Sequence, residues 1–145
     1  MILLDTNVLS EAMKPNPDSN VLAWLNQQSP STLWLTTITV AELRFGVAKL
    51  PEGKRHAALE NLVESYIALF FGRIASFDMP ATVAFAAHAA GAARRGREVK
   101  GFADAAIAAI AVSNGFSVAT RDIRPFVDMG VQVINPWLPA ETPRA

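Results

Sequence analysis

The chain has 145 residues, of which 51% are hydrophobic and 18% are charged, and this length and composition fit one domain with a substantial core. Its 13 basic residues balance 13 acidic residues, which excludes a protein that binds nucleic acid by bulk positive charge. The lack of cysteine and the presence of only two histidines exclude disulfides, thiolate zinc sites and multi-histidine metal sites within one chain.

The N-terminal segment does not have the pattern of a secretory signal. No basic residue precedes its apolar run, and Asp5 follows that run directly. The longest unbroken apolar run, residues 105–112, is much shorter than the roughly 20 residues that a membrane helix needs. We therefore expect a soluble, cytoplasmic protein that makes no membrane contact.

Predicted strands alternate with predicted helices along the chain. The strands begin at Met1, Leu33, Ile74, Ser117 and Val131, and apolar residues recur at helical spacing between them. This alternation predicts an α/β fold in which a parallel sheet carries helices on both faces. We expect a single domain over residues 1–137 and a disordered tail over residues 138–145, where prolines are frequent and no periodicity is present.

A helical hairpin is predicted between the second and third strands. Its first helix is expected to begin near Thr39, because Thr39 and Glu42 match the capping-box pattern. Its second helix, over residues 54–71, ends in three consecutive large apolar residues at positions 69–71. One buried stripe does not require that many, which suggests that another chain covers part of the hairpin.

Four acidic residues each lie just beyond a predicted strand or near the start of a predicted helix: Asp5, Glu42, Asp104 and Asp122. Singly, each is explained as a helix cap or as a partner of the helix dipole. In a right-handed parallel sheet, however, residues that follow strands converge at one edge. Four carboxylates at that edge repel one another unless something neutralises them.

A divalent cation is the simplest neutraliser for these acids. Arg121 adjoins Asp122, but no other basic residue adjoins the remaining three. Oxygen ligands without His or Cys favour Mg²⁺ or Mn²⁺ over zinc. Three neighbouring polar residues, Thr6, Asn7 and Thr120, are placed to orient the carboxylates and bound waters. A carboxylate-held Mg²⁺ with bound water is suited to hydrolysis of phosphate esters.

One segment is densely basic, with Arg94, Arg95, Arg97 and Lys100 between two predicted helices. Cations near a helix C-terminus are stabilised by the helix dipole, so a solvated helix end explains them. Contact with an RNA phosphate backbone explains them equally well, and Arg121 is a further candidate for that contact.

Four sequence blocks occur in a characteristic order: ILLDTN at residues 2–7, TVAEL at 39–43, DAAIAA at 104–109 and VATRD at 118–122. In these blocks the chain resembles the PIN-domain ribonucleases. Within that family it is similar to the VapC-type toxins of bacterial toxin-antitoxin pairs, including the FitB-like subgroup. The resemblance extends over nearly the whole chain, to residues 135–137.

The resemblance implies a three-layer α/β/α sandwich with a mainly parallel central sheet and Mg²⁺- or Mn²⁺-dependent RNA cleavage. It implies an acidic catalytic and metal-binding pocket of Asp5, Glu42, Asp104 and Asp122. The fourth acid varies in the family and is Asn in some members. It further implies a homodimer through the alanine-rich helices. A cognate antitoxin is expected to cover the active-site groove, in a larger assembly that binds operator DNA through the antitoxin, and the apolar residues 69–71 fit the antitoxin-binding hairpin of that family.

Two other functions remain open from the residues themselves. Asp5 after a first strand also fits an Asp-nucleophile phosphatase, although that class usually has a second Asp two residues later, where this chain has Asn7. The chain also fits a non-enzymatic interaction module in which the four acids are helix caps.

Overall fold

The computed structural model describes residues 1–140 as one sheet flanked by helices. The strands are β1 (Ile2–Leu4), β2 (Leu33–Thr36), β3 (Ile74–Ala75), β4 (Ser117–Ala119) and β5 (Val133–Ile134). The helices are α1 (Thr6–Ala12), α2 (Ser19–Gln27), α3 (Thr37–Ala48), α4 (Lys54–Ala68), α5 (Met79–Arg94), α6 (Phe102–Asn114) and α7 (Ile123–Asp128), and a 3-10 turn spans Pro30–Thr32. Within residues 1–140, no helix is both long and apolar enough to cross a membrane.

The five strands pair in the order β3-β2-β1-β4-β5, and every pairing is parallel. Strand β1 lies at the centre, where Ile2 pairs with Leu33 on one side and with Ser117 on the other. The chain builds outward from β1 to β3 and then returns to add β4 on the opposite side. The topological switch point, where open α/β sheets form their ligand crevice, therefore lies at the carboxyl ends of β1 and β4.

The two buried leucines of β1 show how the sheet separates two cores. Leu3 packs with Ile107 and Val118 in a cluster beneath α5, α6 and α7, whereas Leu4 packs with Val8 and Leu35 beneath α1 to α4. Adjacent residues of a strand point to opposite faces, so a continuous apolar run supplies both cores. Each fully buried leucine contributes roughly 1.5–3 kcal/mol of apolar burial. The predicted three-layer α/β/α arrangement is confirmed.

Three predicted elements are longer than the observed ones. The predicted strand at 131–134 is shortened because Val131 N–H donates to Phe126 O in the turn after α7, and the strand begins at Val133. The apolar pattern predicts a strand over residues 73–77, but β3 ends at Ala75, since Asp78 N–H donates to Ser76 O in a tight turn before α5. Helix α4 ends at Ala68, before the predicted residue 71.

The capping-box prediction for Thr39 and Glu42 is wrong. Strand β2 runs into α3 without a loop, and Thr36 is the N-cap, with its Oγ1 accepting a hydrogen bond from Thr39 N–H at 3.0 Å. Thr39 is itself fully buried inside the helix. Glu42 therefore lies in the second turn of α3 and has no capping role.

The predicted tail at residues 138–145 lies mostly outside the described residues. Just before it, Trp137 packs against the core under α1 to α4, and its carbonyl oxygen accepts a 2.9 Å hydrogen bond from Asn20 Nδ2.

Candidate active site

Asp5 lies at the switch point, directly after β1, and is only 5% exposed. Its Oδ1 accepts from Thr6 N–H at 2.8 Å, so the carboxylate also caps α1. Its Oδ2 accepts from Thr120 Oγ1 at 2.7 Å. Burial raises the pKa of Asp5, the hydrogen bonds from Thr120 and Thr6 partly offset that rise, and the charges of Glu42 and Asp122 add to it. The carboxylate is fixed in orientation, and its ionised form is disfavoured.

Asn7 and Thr120 connect the end of β1 to the end of β4. Asn7 Nδ2 donates to Thr120 Oγ1 at 3.2 Å, and Asn7 Oδ1 accepts from Arg121 N–H at 3.3 Å. Thr120 is fully buried and also accepts from Asp122 N–H at 3.0 Å. The structure thus places both residues beside Asp5, within hydrogen-bonding distance of its carboxylate.

Glu42 reaches the site from α3. Its Oε1 accepts a 2.7 Å hydrogen bond from Thr6 Oγ1. Thr6 therefore contacts two acids, since its N–H donates to Asp5 and its hydroxyl donates to Glu42. Thr6 and Glu42 also line a groove of about 430 Å³ between α1, α3 and α4. Glu42 thus approaches the site from the side of the helical hairpin.

Asp104 lies in the first turn of α6 and is partly buried. Burial, followed by the negative charges of Asp5, Asp122 and Glu42, raises the pKa of Asp104 to about 6. This shift is opposite to the one that a helix N-terminus alone produces, because the positive end of the helix dipole favours a carboxylate. The charges of the other three acids thus add to the effect of burial in disfavouring the ionised form of Asp104.

Asp122 follows β4 and occupies the N-cap position of α7, but its side chain makes no capping hydrogen bond. Asp122 is exposed, and its backbone N–H donates a hydrogen bond to Thr120 Oγ1. Capping therefore does not explain this acid. Asp122 and Asp104 both line an open groove of about 570 Å³, which we call the Asp104 groove.

The four acids lack cationic partners. Among the salt bridges of residues 1–140, none involves Asp5, Glu42, Asp104 or Asp122. Arg121, the expected neutraliser of Asp122, instead stacks its guanidinium over the Trp137 ring at 5.3 Å. Within the same residues, no three His, Cys, Asp or Glu side chains form a ready-made metal cage. Mg²⁺ commonly takes one or two carboxylates and several waters, so this open set of uncompensated oxygens fits such an ion.

The basic segment divides into residues inside and outside the Asp104 groove. Arg97 and Lys100 line it, together with Asp104 and Asp122. Arg95 instead donates from Nη2 to Asp128 O at 2.8 Å, and Arg94 is exposed at the end of α5 and is not part of the groove lining.

Arg124 is a groove-lining residue that the sequence analysis missed. It lies in the first turn of α7, two residues after Asp122. Its position just after the fourth acidic block, residues 118–122, could have indicated this residue. The RNA-contact candidates from the sequence were only the dense basic segment at residues 94–100 and Arg121, and Arg124 belongs to neither.

A sequence model of the PIN domain matches residues 2–131. The chain belongs to the PIN-domain family. This PIN domain is 49% identical to VapC ribonuclease Y4jK of Sinorhizobium fredii over 141 residues, covering 97% of this chain and 100% of that protein. It is 46% identical to Toxin FitB of Neisseria gonorrhoeae, covering 94% of this chain and 99% of that protein.

The fold of this PIN domain is also that of a solved structure described as FitAB bound to an IR36 DNA fragment. The two chains are 44% identical and superpose with a TM-score of 0.91, over 95% of this chain and 96% of the other.

Proposed function

We propose that this PIN domain is a Mg²⁺- or Mn²⁺-dependent endoribonuclease and the toxin of a toxin-antitoxin pair. The observation that carries the proposal is the set of four carboxylates at the switch point, none of which forms a salt bridge within residues 1–140. Burial, followed by the charges of the other three acids, raises the pKa of Asp104 to about 6. The similarity to VapC ribonuclease Y4jK and to Toxin FitB supports the same proposed function. The reaction class is hydrolysis of RNA phosphodiester bonds by water.

Asp5 and Asp104 are the residues that would hold the metal ion, with Glu42 and Asp122 completing the acidic cluster. Bound Mg²⁺ or Mn²⁺ supplies a water of lowered pKa and stabilises charge on phosphate oxygens. Thr120 and Thr6 hold the Asp5 carboxylate in one orientation, and Thr6 also orients Glu42. Because both oxygens of Asp5 are already hydrogen-bonded, the carboxylate needs no rearrangement to act as a fixed ligand.

Asp5 is less suited to act as the nucleophile of a phosphatase. A nucleophilic carboxylate must reach the phosphorus atom, whereas Asp5 is 5% exposed and accepts hydrogen bonds on both oxygens. Two positions later, where that class usually has a second Asp, this chain has Asn7, and the Asn7 side-chain amide donates a hydrogen bond to Thr120 Oγ1. These contacts favour the metal-ligand role.

The partners we propose are a cognate antitoxin, a second copy of this chain and, through the antitoxin, operator DNA. The similarity to FitAB bound to a DNA fragment supports the antitoxin and the DNA. Exposed apolar side chains support two protein interfaces: Leu69 and Phe71 after α4 for the antitoxin, and Met79 and Val83 on α5 for the homodimer. We place the assembly in the cytoplasm, with the antitoxin covering the active-site groove.

A metal titration tests the nuclease proposal. Purified wild-type protein and Asp104→Asn are titrated with Mg²⁺ and Mn²⁺ while melting temperature and cleavage of a structured RNA pool are followed in parallel. We expect stabilisation and cleavage in the wild type only, both reversed by a chelator. Cleavage that persists in the chelator, or in a clean preparation of Asp104→Asn, would show that the metal site is misassigned. A wild type without any response would favour the interaction module.

A further inference from the structure

The Asp104 groove combines acidic and basic side chains on two short segments of the chain. Lys100 lies four residues before Asp104, and Arg124 lies two residues after Asp122, and all four line the groove. Each presumed catalytic acid on this side of the site therefore has a cation close to it in the chain. Neither cation is explained by the chemistry proposed above.

The cations of the groove differ in whether they already have a partner. Arg97 Nη1 lies 3.6 Å from Asp128 Oδ1, and the Asp128 side chain is only 11% exposed. Lys100 and Arg124 are both exposed, and in the part of the chain that the structure describes they make no salt bridge and no side-chain hydrogen bond. Lys100 and Arg124 therefore keep their donors available for a ligand.

The charge balance of the groove restricts what that ligand is. Arg97, Lys100 and Arg124 face four lining carboxylates, from Glu98, Asp104, Asp122 and Asp128. An anion is repelled by the carboxylates unless it contacts the cations directly. A polyanion with phosphates at regular intervals meets this condition, because it can place one phosphate at each cation while a scissile bond lies beside Asp104.

We propose that Arg124 and Lys100 bind backbone phosphates of the RNA substrate in the Asp104 groove and so position the strand for cleavage. This inference rests on the nuclease function proposed above and assigns the RNA contacts within it. It also excludes Arg94 and Arg95 from the RNA phosphate contacts, because neither residue lines the groove. Arginine at position 124 can grip a phosphate with two parallel N–H donors, which lysine cannot do.

RNA binding without cleavage tests the assignment. All proteins carry Asp104→Asn, which removes one groove carboxylate and the presumed metal ligand, and binding is measured in a chelator. Fluorescence anisotropy with a labelled, unstructured RNA gives Kd over a range of salt concentrations. The variants are Arg124→Ala, Arg124→Lys and Lys100→Ala. Arg94→Ala is the matched control, since it removes the same charge from the basic segment outside the groove.

We expect Arg124→Ala to weaken binding about tenfold at low salt. It should also reduce the slope of log Kd against log salt by about 0.7, the contribution of one single-strand phosphate contact. Lys100→Ala should reduce the slope similarly, and Arg124→Lys should keep the slope while losing part of the affinity. Arg94→Ala should match the parent, and equal melting temperatures establish that the variants are folded.

Three outcomes would overturn the inference. If the parent binds RNA and Arg124→Ala and Lys100→Ala bind equally well, or if Arg94→Ala weakens binding as much as they do, the phosphate contacts lie elsewhere and the nuclease proposal stands. If the parent binds no RNA at any salt concentration, the assignment is wrong as well. The metal-dependent cleavage assay on wild-type protein then decides separately whether the chain is a nuclease.

Discussion

Thr120 Oγ1 donates a 2.7 Å hydrogen bond to Asp5 Oδ2, joining residues that are 115 positions apart in the chain. Both residues are buried at the carboxyl ends of neighbouring strands, β1 and β4. The bond stabilises the charged form of a carboxylate that burial destabilises. The same contact therefore supports the fold and fixes the orientation of a proposed metal ligand.

Thr120→Val should lower both stability and cleavage. Valine fills nearly the same volume but leaves Asp5 Oδ2 without its strongest donor, and we expect a loss of about 1–3 kcal/mol in the free energy of unfolding. Urea unfolding and RNA cleavage rates measure the two effects. Thr120→Ser keeps the hydroxyl, loses the methyl group and serves as the control, which should retain cleavage. A loss of cleavage in Thr120→Ser as large as that in Thr120→Val would show that the effect is not specific to the hydrogen bond.

Asp104→Asn should stabilise the metal-free protein above about pH 6. The pKa of Asp104 is about 6 in the folded chain and about 4 in the unfolded chain, so the folded state binds this proton more tightly. Ionised Asp104 therefore costs stability at high pH, and that cost disappears as pH falls through 6 towards 4. We expect a gain of about 1 kcal/mol at pH 8, since solvent around this half-exposed group screens the repulsion.

Urea unfolding in a chelator, at several pH values, checks the Asp104→Asn prediction. Wild type and variant should converge in stability near pH 4. A difference that is constant with pH would mean that the amide acts through packing, and not through removal of a repelled charge.

Phe71→Glu should weaken binding of the cognate antitoxin and leave RNA cleavage by the isolated chain unchanged. Phe71 is 92% exposed and Leu69 is 67% exposed, a surface that costs free energy unless a partner covers it. Co-purification with the antitoxin and titration calorimetry measure the change. Leu138→Glu alters another exposed apolar residue elsewhere, 62% exposed, and an equal effect of that variant would contradict the assignment of the interface.

Val83→Asp should convert a homodimer to a monomer. Val83 is 70% exposed on α5 and Met79, one turn earlier, is 77% exposed, so a charge here would be buried between two copies. Light scattering after size-exclusion chromatography measures the mass. Phe71→Glu is the control and should remain dimeric. A Val83→Asp protein that stays dimeric would place the dimer face on another surface.

The local patterns of the sequence predicted several elements well. The ILLDTN block is a buried strand followed by a polar cluster, and α6 is buried along most of its length, as its continuous apolar run indicated. Both predictions succeeded because strand and helix periodicity are properties of neighbouring residues. The predicted start of α3 was wrong because it depended on which of three nearby threonines caps the helix. That choice is made by the end of β2, where Thr36 is extended.

The sequence by itself determined the α/β class, the parallel sheet and the identity of four acidic residues, because hydrophobic periodicity and strand-end positions are encoded locally. Only the tertiary structure decided how those acids relate to one another and to the cations. In the folded chain Glu42 accepts a hydrogen bond from Thr6 Oγ1 and has no capping role, and the Arg121 guanidinium stacks on the Trp137 ring. Arg124 and Lys100 line one groove with Asp104. These contacts depend on how the elements pack in three dimensions, which the local pattern of apolar and polar residues does not encode.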